Sequence, residues 1–232
     1  MWPLVIAAGV AGLLVGSFLR PLADGFDPEP ETEPDAPPKG PPGVDRPARW
    51  AEARTALTQA PRKWPAWKWP PWVELGTAAA FAVVAWRLEG TPCIWSWAYA
   101  ALAGSLLSVI DWRTRRLPDV ITLPSYPILA LLLIPTGHVG QALLGALALG
   151  GAYFVLWYGR PDALGLGDVK LAGLVGMLTG SLGMDRWLTA AMAGLILGAL
   201  YAVLLLATGR GTLKTQFPLG PFIALGALAA LW

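Results

Sequence analysis

Between Trp72 and Trp232 the chain is a succession of apolar runs, each near the roughly 20 residues with which a helix crosses a bilayer. A further run of the same kind, Trp2 to Leu19, stands at the start. A soluble domain this apolar is hard to keep in solution: of 232 residues, 55% are hydrophobic and 14% charged, with a mean hydropathy of +0.53. The expected fold class is therefore an all-α polytopic membrane protein of about eight transmembrane helices. They are placed at 2–19, 72–88, 93–111, 119–136, 138–158, 168–183, 187–208 and 217–232. The Trp2–Leu19 run has no Lys or Arg ahead of it and no clear small-residue cleavage site behind it, so it reads as a retained helix rather than a signal peptide. The Gly- and Ala-rich stretches Ala142–Gly151 and Ala190–Ala199 suit close helix packing in lipid.

Three units are expected: residues 1–21 as the first transmembrane helix, 22–71 as a Pro-rich and partly disordered cytoplasmic loop, and 72–232 as a seven-helix core. Within the loop, Pro28 to Pro42 is too poor in apolar residues to fold alone, and Arg46 to Ala60 reads as a short surface helix. Trp64 to Trp72 mixes indoles and cations just before a membrane entry, as a headgroup-level anchor does. Of 17 Lys and Arg, all but Arg87 and Arg186 fall on one side of an eight-pass arrangement. The positive-inside rule makes that side cytoplasmic and puts both chain termini on the other.

On this orientation two carboxylates at the ends of apolar runs, Asp111 and Asp168, share the cytoplasmic face. Taken singly, each has a plain reading. Asp111 is a helix-end acid paired with Arg113 or Arg115, and Asp168 is an N-cap, as is Asp119 after Pro118. Taken together they form an acid–base pair: two close carboxylates do not both ionise easily, so one keeps a proton while the other activates water. Gly165, Gly167 and Lys170 flank Asp168 and are candidate substrate-binding residues, the glycines for backbone access and the lysine to moderate the Asp168 charge; loop flexibility and interfacial snorkelling are their plain readings. The single histidine, His138, falls in a turn on the opposite face, and Cys93 lies near that same face as a packing residue. Arg160 and Asp162 sit in the loop before Asp168, where solvation explains them as well as a substrate role does. One cysteine rules out an internal disulfide pair and a multi-cysteine zinc site, and no metal site is expected.

Gly165-Leu166-Gly167-Asp168, followed by Val169-Lys170-Leu171, resembles the GxGD motif of the prepilin peptidases, or type IV leader peptidases. Asp111 ahead of Leu117-Pro118-Asp119 and Ile121-Thr122-Leu123-Pro124 is similar to the first catalytic aspartate of that family and its surroundings. Gly16-Ser17-Phe18-Leu19, Pro71-Trp72-Val73-Glu74 and Phe217-Pro218-Leu219-Gly220-Pro221-Phe222 resemble further family motifs, in family order. The resemblance implies a membrane aspartic endopeptidase of the bacterial inner membrane, its active site facing the cytoplasm and Asp111 and Asp168 catalytic. Its substrates would be type IV prepilins or type II secretion pseudopilins, with a short basic leader followed by an apolar helix. It implies no metal and no cofactor for the peptidase. S-adenosylmethionine enters only if the family's second activity, N-methylation of the new N-terminus, is retained, with Glu74 as a methyltransferase residue by position. The departures are the absence of the Cys-x-x-Cys pairs that many members carry in the loop, and Arg20-Pro21 after Phe18-Leu19. The expected partners are the substrate and the lipid bilayer, with no nucleic acid. The competing classes are a carboxylate-dependent transporter or channel and a non-catalytic pilus or secretion assembly factor.

Overall fold

A computed structural model describes residues 2–26, 46–64, 71–160, 164–211 and 217–232. These residues are helical, with no strand among them. The order is α1 (Trp2–Ala23), α2 (Arg46–Gln59), α3 (Trp72–Leu88), α4 (Ile94–Thr114), α5 (Asp119–Leu133), α6 (Val139–Gly159), α7 (Leu166–Gly180), α8 (Met184–Ala207) and α9 (Gly220–Ala229). Short 3-10 turns extend α2 and α5. The eight apolar runs thus become α1 and α3 to α9 in the expected order. By length and hydropathy, α1, α4, α5 with its 3-10 turn, α6 and α8 can cross a bilayer. The other three are shorter, at 17, 15 and 10 residues for α3, α7 and α9, so eight full crossings do not follow from length.

α7 is the axis of the bundle. Every residue from Leu171 to Gly180 is buried, and α4, α5, α6, α8 and α9 pack around it. A helix buried all round needs small residues where its neighbours press closest. Gly176 meets Gly145 of α6 backbone to backbone, and a methyl group on either would collide with the other's carbonyl. α1 lies on α3 in the same way, since a Cβ on Gly16 would come 2.6 Å from the Glu74 Cα. The outer faces are apolar too. Leu147 is 73% exposed and Leu200 60%, which suits contact with acyl chains rather than water.

α2 is more than a surface helix. Ala53, Ala56 and Ala60 are buried with Leu22, Phe26 and Ile110, so α2 docks on the ends of α1 and α4 that lie nearest Asp111. The Pro28 to Pro42 stretch lies outside the described residues, as do 65–70 of the tryptophan-rich entry. Trp64 is described, and it is tied to the bundle, its indole N–H donating to Ser17 Oγ at 3.0 Å.

Candidate active site

Three helix ends meet at the site. α4 brings Asp111 in its last turn and then stops: Arg115 takes the left-handed conformation (φ 52°) and its N–H donates to the Asp111 carbonyl at 2.8 Å. The Asp111 carboxylate itself turns inward and is 4% exposed. It makes neither of the pairings expected of a solvated helix-end acid, because Arg113 pairs with Asp24 just past α1. Instead, Asp111 Oδ2 accepts the Gly220 N–H at 2.8 Å. Gly220 opens α9, held there by Pro221, whose fixed φ suits a first helical turn. The segment 217–219 ahead of it is not helical, which is why α9 is shorter than the apolar run. The Asp111 carboxylate therefore faces a helix N-terminus, where unpaired N–H groups and the macrodipole favour negative charge. A Cβ at 220 would come 2.9 Å from Oδ2, so the carboxylate would have to shift to admit one.

α7 brings the second carboxylate. It begins at Leu166, two residues earlier than expected, so Asp168 is the third helical residue and not the N-cap. Gly165 is the N-cap, in an extended conformation, and its N–H donates to Asp168 Oδ2 at 3.1 Å. Half-buried Asp168 feels the charge of Asp111, and buried Tyr153 of α6 feels the charge of Asp168. The two carboxylates, 57 positions apart in the chain, thus share one electrostatic environment at one end of the bundle.

The neighbours expected to bind substrate have structural partners. A Cβ on Gly167 would come 2.8 Å from the Leu117 Cβ, so this glycine lets the start of α7 press on the α4–α5 loop. Gly165 is exposed and spends its N–H on Asp168. Lys170 Nζ is 2.6 Å from Asp119 Oδ1, and its backbone carbonyl accepts the Tyr126 hydroxyl at 2.8 Å. This is a different bond from the expected moderation of Asp168, and it also corrects the N-cap reading of Asp119. Pro118 is the N-cap of α5, and Asp119 stands in its first turn. Glu74 is in the first turn of α3 but wholly buried, in a two-pronged pair with Arg20: Nη2 to Oε2 at 2.7 Å and Nε to Oε1 at 2.9 Å. His138 is exposed, Cys93 is buried, and no group of three or more metal-binding side chains occurs among the described residues. Arg160 is exposed, and Asp162 lies outside the described residues. Gly220 and Tyr153 were not among the expected site residues. Gly220 stands inside a quoted motif, and its position behind an apolar run's opening proline was the available signal; nothing in the sequence brings Tyr153 forward.

Fold and site together define a multi-pass helical membrane protein with two carboxylates gathered at one end of its bundle. Residues 98–205, which carry both aspartates, match the type IV leader peptidase family. The chain is 35% identical over 180 residues to the prepilin leader peptidase/N-methyltransferase of Pseudomonas putida, covering 70% of this chain and 58% of that protein. It is 33% identical over 184 residues to the enzyme of the same name from Pseudomonas aeruginosa, with 70% and 58% covered. To the type 4 prepilin-like proteins leader peptide-processing enzyme of Escherichia coli it is 33% identical over 178 residues, with 70% and 60% covered. The matched part thus spans about three fifths of these curated relatives. No solved structure matches the chain.

Proposed function

We propose that the protein is a membrane aspartic endopeptidase that removes the leader of type IV prepilins or pseudopilins at the cytoplasmic face of the bacterial inner membrane. The observation that carries this reading is the gathering of Asp111 and Asp168, each bonded to a helix-opening N–H, with Asp168 in the field of Asp111. Two carboxylates so placed do not ionise together without cost. The ionised one takes a proton from water, and the hydroxide equivalent adds to the scissile carbonyl carbon. The protonated one donates to the carbonyl oxygen, giving a neutral tetrahedral diol. Collapse breaks the C–N bond: the proton taken from water passes to the leaving amine, and the other carboxylate takes a proton back from a diol hydroxyl as the carbonyl re-forms. The pair ends with one proton, as it began.

Three of the cations around the site have their charge matched locally. Arg20, Arg113 and Lys170 are each paired with a carboxylate, from Glu74, Asp24 and Asp119. On the positive-inside reading these residues and both aspartates lie on the cytoplasmic side. Residues 1–21, 22–71 and 72–232 would then be an anchoring helix, a cytoplasmic loop without zinc cysteines, and the peptidase core. N-methylation with S-adenosylmethionine is a separate activity that the names of the relatives carry. In this chain Glu74 is engaged by Arg20, and the loop has no cysteine.

The test is co-expression with a candidate prepilin and mass spectrometry of the product's N-terminus. A peptidase yields the leaderless chain, and a retained methyltransferase adds the mass of one methyl group. Unprocessed prepilin beside well-folded protein contradicts the reading.

A further inference from the structure

Beside the aspartates a cavity of about 670 Å³ runs into the bundle, between α3, α4, α5, α7 and α9. Its walls are set by the three helix ends that build the site. On α4 it runs from Trp112 and Arg113, just past Asp111, back to Trp97; on α7 from Leu171, one turn after Asp168, to Leu178. On α9 it runs from Pro221, next to Gly220, to Leu228. The α4 wall is about 20 Å long, from the rise of a helix. Trp72 and Trp112 line the aspartate end and are themselves largely exposed, and Leu225 is half exposed further along. The cavity is thus a groove, open at the end where Trp112 follows Asp111 and along a side; the aspartates stand next to its lining and not in it.

We propose that this groove seats the apolar helix that follows the leader in the substrate, with the N-terminal end of that helix at the aspartates. The inference rests on the peptidase reading above. A helix of this length fills about 1,600 Å³ as a cylinder about 10 Å wide, so the groove takes one face of it and leaves the rest to lipid. Gly76 and Gly104 line the groove, and a Cβ on Gly76 would meet nothing within 4 Å, so a helix backbone can come close. The direction is also set. α7 and α9 run away from the aspartates, and a leader placed ahead of the substrate helix makes that helix run the same way. The arginines at the mouth, Arg20 and Arg113, already hold Glu74 and Asp24, so the mouth is not arranged as a phosphate site. At the far end the groove closes on Trp97, which is 1% exposed.

The experiment compares two substrates in vesicles: a full prepilin, and a peptide that contains the scissile bond but ends before the apolar helix. Gly76→Leu fills the groove and is expected to raise KM for the full prepilin by about 10-fold, with kcat and the peptide's kcat/KM little changed. In an Asp168→Asn background, a photocrosslinking residue at Leu225 is expected to capture prepilin, and one at Leu147 or Leu200 is not. Unchanged KM with capture from Leu147 as strong as from Leu225 overturns the groove assignment and leaves the peptidase reading standing. Capture from Leu225 of phospholipid alone, or of a second copy of this chain, overturns it likewise. Wild-type protein that cleaves neither substrate removes the peptidase reading, and this inference with it.

Discussion

Replacing an aspartate by asparagine keeps its shape while removing the charge and the acid proton, so Asp111→Asn and Asp168→Asn test chemistry rather than packing. Each is expected to lower the cleavage rate by about 10²- to 10⁴-fold, the range in which positioned acids and bases contribute. The pair works with one member ionised and one protonated. Acid solution protonates both and alkaline solution ionises both, so kcat/KM against pH is expected to be bell-shaped, and a rate that rises steadily with pH contradicts the shared-proton mechanism. Gly220→Ala pushes a methyl group onto Asp111 Oδ2, at 2.9 Å. Its expected result is a loss of activity larger than any loss of thermal stability, measured on the same detergent-solubilised sample. The two aspartates were legible in the sequence because an acid at the end of an oily helix is conspicuous. The N–H of Gly220 was not, since a backbone donor leaves no mark until the start of α9 is known. Nor was the Lys170–Asp119 pair, whose members stand 51 residues apart.

At the scale of elements, α1 is held to α3 by the close approach at Gly16 and by the Arg20–Glu74 pair. Glu74→Ala removes the carboxylate that holds the buried Arg20 guanidinium through two bonds and is expected to destabilise the protein, read as a lower melting temperature. Arg20→Met with Glu74→Leu removes both charges and is expected to recover much of that loss. A double variant no more stable than the single one contradicts this account of the α1–α3 junction. The helices were legible because apolar length alone marks them, and the glycine-rich runs marked helices that pack closely, though not their partners, which Gly145 and Gly194 find in α7 and α9. The ends were less legible. α7 starts earlier because Asp168 caps Gly165, and α9 starts later because 217–219 is not helical, both products of local bonding that hydropathy does not register. Docking of α2 was hidden because its buried face is alanine, which carries little hydrophobic signal.

For the whole molecule, the central arrangement is three helix ends converging on two acids, with a groove leading away between the same helices. The sequence offers each helix separately. The groove is a property of their spacing, and no single run announces it. Orientation belongs to this scale too. With Cys93 replaced by Ala, a cysteine at exposed Arg160 is expected to react with a membrane-impermeant thiol reagent only from the cytoplasmic side, and one at Met184 only from outside. The reverse pattern contradicts the positive-inside assignment.

The central claim is that Asp111 and Asp168 act as one unit, and the direct measurement is the single-turnover cleavage rate of a full prepilin by the wild type, Asp111→Asn, Asp168→Asn and the double variant. The account predicts that each single variant loses nearly as much as the double. Losses that multiply, or a single variant that still cleaves at close to the wild-type rate, would contradict it.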